Sequence, residues 1–305
     1  MEMEIKKQWR RYHTPYGLCI NQRCEIVIDQ FLVPNYEGKI QLIFTSPPFP
    51  LNRAKKYGNL EGDEYKNWLS AVGKTLVPLL TDDGSIVIEI GNAWSSGEPA
   101  FSTLPIETLL QFKNDCGLYL CQEFIYYNPA RLPSPIEWVN KRRIRVKDSF
   151  TRIWWMSKTP YPYADNQCIL EDYSKQMKKL LKSGKYNSGI RPSEPKISEK
   201  AFLNDNGGAI PSNVIIASNT DSHSEYLKKC KEKGLVIHPA RMPYQIPQYF
   251  IKFLTKENDI VLDCFAGSNT TGYCAEQLKR KWISIEVDKD YYMGSKYRFK
   301  VRGKK

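Results

Sequence analysis

The chain has 305 residues, enough for one large domain with an insertion, and its 45 Lys and Arg against 33 Asp and Glu leave a net charge of +12. With no charged-then-apolar segment at the amino terminus and no apolar run of spanning length, a secreted or membrane-embedded protein is not expected, and the chain reads as soluble and cytoplasmic. Eight cysteines contain no C-x-x-C pair, and Cys19/Cys24 and Cys116/Cys121 lack a histidine partner, so neither a disulfide framework nor a zinc site is expected.

In chain order, strands are predicted over residues 16–20, 41–45, 85–90, 121–127, 152–156, 260–263 and 282–286. Helical patterns fall between them, over residues 24–33, 63–80, 104–115, 247–255, 271–279 and 288–299. Strands alternating with helices imply an α/β fold with a mostly parallel sheet. The second strand runs into Ser46-Pro47-Pro48-Phe49. Proline fixes the backbone and has no N–H, so this loop offers carbonyl acceptors rather than donors. A planar amino group donates two hydrogen bonds, which Ser46 and the Pro47 carbonyl can accept, while Phe49 offers a stacking face. Taken alone, the tripeptide also fits an ordinary strand-to-turn junction.

The stretch after the fourth strand brings Lys141, Arg142, Arg143, Arg145 and Lys147, a cluster suited to phosphate; further clusters run from Lys175 to Lys185 and from Lys296 onward. Between residues 159 and 234 the alternation breaks into a segment rich in Pro, Ser, Asn, Gly and Lys. Its composition is compatible with a linker, but so long a structureless insertion is unusual inside a compact enzyme. Asn204, Asn206, Asn213, Asn219 and Arg191 have the hydrogen-bonding chemistry to read base edges.

Near the end, Asp259 to Asp263 reads as a buried strand, Cys264-Phe265-Ala266-Gly267-Ser268-Asn269-Thr270-Thr271-Gly272 as a glycine turn opening a helix, and residues 282–286 as the next strand, ending on Glu286. Gly267 and Gly272 have phosphate-loop spacing, yet Tyr273-Cys274 follow where Lys and a hydroxyl are needed, which excludes an NTPase loop. A carboxylate ending the second strand of such a unit commonly takes a ribose diol. His13, His223 and His238 are too scattered for a metal site or a triad.

The two motifs together resemble the β-type amino DNA methyltransferases. Ser46-Pro47-Pro48-Phe49 is similar to their catalytic motif in its cytosine-N4 form, and Phe265 to Gly272 to their S-adenosylmethionine motif. The resemblance runs along nearly the whole chain, most specifically through Leu132 to Arg142, Asn206-Gly207-Gly208 with Ile210-Pro211, and His238-Pro239-Ala240-Arg241. It implies a circularly permuted Rossmann-like methyltransferase fold with a seven-stranded sheet. The catalytic half would occupy residues 1–158, a target-recognition region 159–234, and the cofactor half 235–305. It further implies direct methyl transfer to N4 of a flipped cytosine in double-stranded DNA, as the modification arm of a restriction–modification system. Such an enzyme would act as a monomer on DNA, without a metal and with a separate endonuclease.

In that reading Ser46, Pro47, Pro48, Phe49 and Glu89 form the catalytic set, with Glu89 near the Ser46 hydroxyl. Asp263, Phe265, Ala266, Gly267, Ser268, Asn269, Thr270, Thr271 and Glu286 surround the cofactor, and Lys141, Arg142, Arg143 and Arg145 meet phosphates. Two departures stand out: Asn21-Gln22 replaces the usual Gly-Asp, and Glu89 replaces the usual Asp. Adenine-N6 transfer would use the same loop and remains open. An RNA- or protein-modifying relative fits the permuted order less well, and a non-catalytic DNA-binding protein fits poorly with an intact Gly267, Gly272 and Glu286. Cytosine-C5 chemistry needs a thiolate, and no cysteine lies in or beside the Ser46 loop.

Overall fold

The computed structural model describes residues 8–49, 60–185, 189–191, 194–197, 202–218 and 224–299. Asn219, His223 and the terminal basic residues from 300 onward lie outside them. The chain divides into two compact units, one of Met1–Ala164 with Asn213–Lys305 and one of Asp165–Ser212.

The larger unit is built on a nine-stranded sheet. Its strands are β1 (Arg10–His13), β2 (Gly17–Asn21), β3 (Ile40–Thr45), β4 (Leu80–Gly91), β5 (Tyr119–Tyr127), β6 (Phe150–Ser157), β9 (Val214–Ile216), β10 (Ile260–Asp263) and β11 (Lys281–Ile285), in the order β1-β2-β11-β10-β3-β4-β6-β5-β9. All seven predicted strands are present. The two additional ones are edges: β1 carries the charged Arg10-Arg11, and β9 has only three residues, so neither shows a readable period. The strands from β2 to β4 run parallel through β11, β10 and β3, whereas β6 is antiparallel to both β4 and β5.

Parallel strands are covered on both faces and therefore read as continuous apolar runs. Every residue of β3 is buried. Successive residues face opposite layers: Ile43 joins the cluster containing Val27, Leu69 and Phe112, while the Phe44 ring packs 5.7 Å from Phe250. Phe250 lies on α7 (Gln245–Leu254), which with α8 (Thr270–Gln277) contributes to the second layer. The first layer includes α1 (Cys24–Val27), continued by a π-helical turn and α2 (Val33–Tyr36), then α3 (Gly62–Leu76) and α4 (Leu104–Asp115). In α3 the buried positions Tyr65, Leu69, Val72 and Leu76 recur at helical spacing, and Asp63 and Glu64 in the first turn complement the helix dipole.

Residues 213–234, expected within the insertion, are part of the larger unit. Strand β9 pairs with β5, and α6 (Glu225–Glu232) buries Tyr226, Leu227 and Cys230. The smaller unit holds α5 (Lys175–Ser183), capped by the Ser174 hydroxyl, which accepts from Met177 N at 3.1 Å, and ended by Gly184 at φ +63°. It also contains the hairpin β7 (Gly189–Arg191) and β8 (Glu194–Ile197), and Glu171 pairs with Ala209. Eight free thiols are distributed through the chain. Among the described residues no helix is long and apolar enough to cross a membrane, and no cluster of His, Cys, Asp and Glu could hold a metal.

Gly73 of α3 lies under the Phe112 ring and Cys116 of the α4 end, and an added Cβ there would overlap the ring. Because Phe112 is buried and has nowhere to go, Gly73→Ala is expected to destabilise the fold by about 1–3 kcal/mol. A lowered urea midpoint at unchanged slope measures this; an unchanged midpoint would mean that the helix pair is loosely packed.

Candidate active site

The carboxyl ends of β11, β10, β3 and β4 lie side by side and open onto a cavity of about 630 Å³. The motifs separated in sequence meet there. Leu262 of β10 stands opposite Ile43 of β3, and beyond them Thr45 Oγ1 donates to Asp263 Oδ1 at 2.9 Å. Phe265 N donates to the same oxygen at 3.1 Å, so one carboxylate ties the start of the Ser46 loop to the start of the glycine turn.

Strand β4 lies on the other side of β3 and brings Glu89 to Ser46, whose hydroxyl donates to Glu89 Oε2 at 2.6 Å. Thr151 Oγ1 of β6 donates to Oε1 at 3.0 Å. Burial pushes the Glu89 carboxyl above the usual carboxylate range, against the pull of these two hydroxyls and the charge of Arg131. The Pro48 carbonyl accepts from the Tyr65 hydroxyl at 2.6 Å, while the Phe49 ring packs against Gly91, where a Cβ would come within 2.5 Å of it. Gly91 is thus glycine because an aromatic ring needs its space.

Across the cavity the buried Glu286 carboxyl accepts from Gly267 N at 2.6 Å and from Asp288 N at 2.7 Å. Burial nevertheless raises it to about 7. Gly267 adopts φ +52° beneath His238, whose Nε2 would lie 3.0 Å from a Cβ, so both conformation and space demand glycine. Asp263, Phe265, Ala266, Gly267, Ser268, Thr270 and Thr271 line the cavity with Glu286.

Asn269 does not. It is fully buried at φ +55°, its Oδ1 accepting from Gly272 N at 3.1 Å and Ser284 Oγ at 2.7 Å, and its Nδ2 donating to Tyr12 OH at 2.9 Å. It is the cap that shapes the turn, and the motif alone does not separate that task from ligand contact. The Asn21 amide donates to the carbonyls of Glu286 and Val287 at 2.8 and 3.1 Å, so this departure fastens β2 to the loop after β11, leaving Gln22 on the cavity wall. Tyr65, Trp68, Tyr126, Asn128 and Arg131 also line the cavity. Nothing in their spacing announces it: Tyr65, for example, shares the periodicity of the α3 core face.

The basic run lies on the exposed connection between β5 and β6. Lys141 and Arg142 pair with Glu137 at 3.0 and 3.2 Å, and Arg142 stacks over Trp138. Arg143 is exposed, at φ +55°. Arg145 turns back on the protein, its Nε donating to the Pro99 carbonyl at 3.0 Å.

A family model described as DNA methylase matches residues 40–296. The chain belongs to that family. It is similar to the Type II methyltransferase M.PvuII of Proteus hauseri, at 46% identity over 265 residues, covering 86% of this chain and 79% of that protein. A second relative, M.BglI of Bacillus subtilis, is 25% identical over 287 residues, or 84% of this chain and 78% of the relative. The solved structure of PvuII DNA methyltransferase (cytosine-N4-specific) matches with a TM-score of 0.76 at 37% identity, over 96% of this chain and 90% of that one. The M1.HpyAVI–SAM complex, at 19% identity and a TM-score of 0.56, covers 93% of this chain and 98% of its own; it shares the fold.

The raised Glu286 carboxyl has a consequence for the unliganded methylase. A group protonated more readily folded than unfolded stabilises the fold at low pH, and that stability is lost as pH rises, here between about 4.5 and 7. Glu286→Gln leaves one of these two backbone N–H groups facing an amide nitrogen, a cost independent of pH, so its stability relative to wild type should rise by up to about 3 kcal/mol between pH 4 and pH 8. Asp263 and Glu89 shift in the same direction, so the variant keeps part of the slope. Parallel stability curves for the two proteins from pH 4 to 8 would mean that Glu286 ionises normally.

Proposed function

We propose that this methylase transfers a methyl group from S-adenosylmethionine to N4 of a cytosine extruded from double-stranded DNA, at one short site, as the modification arm of a restriction–modification system. The observation that carries the reading is the Ser46–Glu89 hydrogen bond of 2.6 Å, placed in one cavity with the glycine turn and Glu286.

The cavity suits the cofactor. Its volume matches a nucleoside-sized ligand, its buried acids favour a cation, and Phe265, Trp68 and Tyr291 supply apolar faces. Each Glu286 oxygen accepts one backbone N–H and keeps a lone pair for a ribose hydroxyl. Phe265 to Ser268, with Thr270 and Thr271, would enclose the remainder, while Asn269 shapes the turn from behind. When bound, S-adenosylmethionine supplies a methyl carbon made electrophilic by its positively charged sulfur.

The protein's own groups supply the rest. The N4 lone pair of cytosine is delocalised into the ring and makes a poor nucleophile. Ser46 spends its proton on Glu89, so its oxygen lone pairs are free to accept from one N4–H. The Pro48 carbonyl already accepts from Tyr65, and the other N4–H is assigned to the Pro47 carbonyl. Both bonds favour a tetrahedral nitrogen and localise the pair. Phe49, wedged on Gly91, gives the ring a stacking surface. As N4 is methylated, its proton passes to Ser46 Oγ and the Ser46 proton to Glu89, whose burial makes it a stronger base than a surface carboxylate. Holding the partners in line is the larger contribution, worth ~7–11 kcal/mol in well-oriented reactions.

The net charge of +12 and the exposed Lys141, Arg142 and Arg143 support phosphate contacts that hold the duplex. The unit of Asp165–Ser212, with its basic helix α5, is the core of the target-recognition region, and residues 1–164 and 213–305 form the methyltransferase domain. In this reading the chain is a cytoplasmic enzyme acting as a single copy on DNA beside a separate endonuclease of the same specificity; its similarity to Type II methyltransferases supports DNA as the partner.

Digestion of DNA from cells expressing the chain, followed by mass spectrometry, should yield N4-methylcytosine. N6-methyladenine in its place would overturn the substrate, and no modified base at all would overturn the activity. Glu89→Gln keeps the shape and removes the base, so single-turnover methylation should slow by roughly 10²–10⁴-fold at near-wild-type affinity for cofactor and DNA. An unchanged rate would reduce Glu89 to a structural acid. Replacing Lys141 and Arg142 together by Ala should weaken specific and nonspecific DNA equally and lower the salt slope by about 0.9 for each lost contact. A wild-type slope would make them an ordinary solvated face.

A further inference from the structure

The connection between β5 and β6, residues 128–149, combines features that solvent alone does not account for. Its Leu132, Ile136 and Val146 are 80%, 61% and 85% exposed. Single exposed apolar residues are ordinary. Here, with the half-exposed Ile144, four of them share one segment with Lys141, Arg142 and Arg143, and the root of that segment is the cavity wall, where Asn128 and Arg131 face the site.

The segment is also internally braced. Asn128 N donates to the Ser149 carbonyl at 2.8 Å, Asp148 N to Ser134 at 3.0 Å, and Ile144 N to Trp138 at 2.9 Å. Arg131 is anchored inward by a 3.1 Å bond to the Phe150 carbonyl, with Asp148 3.9 Å away. The following residue, Leu132, is directed outward at the rim.

We propose that this connection is a finger that enters the duplex, and that Leu132 occupies the space in the base stack vacated by the extruded base. The inference rests on the functional reading above, since only an enzyme that extrudes a base creates such a gap. Extrusion breaks stacking on both sides of the target and leaves an apolar slot between its neighbours. An apolar wedge there restores contact and prevents the base from returning, while the surrounding cations hold the flanking phosphates. Leu132 is assigned in preference to Val146 because it directly follows a cavity-lining residue, whereas no residue near Val146 in the chain lines the cavity. As an exposed side chain, Leu132 adds little to the folded protein itself, so truncating it leaves the fold intact.

The test uses a duplex carrying the site mapped from modified DNA, with 2-aminopurine at the target position, and compares the full-length wild type with Leu132→Ala, Leu132→Met and Val146→Ala. The fluorescence gain on binding reads extrusion without chemistry, so it judges the finger even if the functional reading fails at the methylated base. Leu132→Ala should lose most of that gain, and its single-turnover rate on paired DNA should fall at least tenfold, with an unchanged S-adenosylmethionine affinity. On a duplex whose target cytosine faces an abasic position, the base is already unpaired and the deficit should shrink to within threefold. Leu132→Met should restore the paired-DNA rate, and Val146→Ala should leave it near wild type. A wild-type fluorescence gain in Leu132→Ala would overturn the proposal, as would an equal deficit on paired and unpaired targets. A wild type that extrudes the base yet transfers no methyl to cytosine would instead count against the functional reading alone.

Discussion

The hydrogen bond between Thr45 and Asp263 joins two strand ends that lie 218 residues apart in sequence, and the rest of the site depends on it. Asp263 is buried, and burial holds its carboxyl above the ordinary range even though Thr271, Thr45 and the Phe265 N–H all donate to it. A buried acid that loses a donor is left with an uncompensated polar atom, so β3 and β10 are held to one relative position at their ends. Because the Ser46 loop leaves directly from Thr45 and the glycine turn directly from Asp263, fixing these two residues fixes the distance between the two functional segments. The cavity is the space left between them.

Three buried acids line that space, one each from the ends of β4 and β10 and one just past β11. In all three, desolvation is the largest influence and raises the carboxyl. Each is held by hydroxyl or backbone donors rather than by an ion pair, which keeps the interior acidic in character and receptive to hydroxyl donors and to positive charge. The exposed connection at the cavity rim carries the opposite sign. A polyanion and a cationic ligand are thus sorted by the same surface, the first held outside and the second drawn in.

Close backbone approach is the second constraint. Phe49 can lie on β4 only because Gly91 has no side chain, and His238 can cover the glycine turn only because Gly267 has none. Both contacts place a ring from a distant segment against the backbone of the site. The order in which these segments occur along the chain, Ser46 loop first and glycine turn last, leaves the geometry unaffected, because neighbouring parallel strands need only share a sheet.

The strand and helix periods were legible without a structure: each predicted strand and helix is present, because an apolar run buried on both faces or repeating every third and fourth residue admits few other folds. The backbone character of Ser46-Pro47-Pro48-Phe49 and of the glycine turn was legible for the same local reason, since proline and glycine restrict or free the backbone wherever they occur. What the chain could not disclose is which side chains meet. Asn269 belongs to the cofactor motif in sequence but caps a helix in space, and Asn21 replaces an expected acid but fastens a loop. Tyr65 carries the pattern of a core residue, and its hydroxyl nonetheless reaches the Ser46 loop. The edge strands β1, charged at Arg10-Arg11, and β9, of only three residues, carry no readable period and pair where a sheet edge receives them. Sequence by itself determined the inner strands and the helices that cover them, because backbone preference and hydrophobic period are local. Which carboxylate meets which hydroxyl was decided only by the tertiary structure, because hydrogen bonds between strand ends depend on sheet order and register, and neither is written in any one segment.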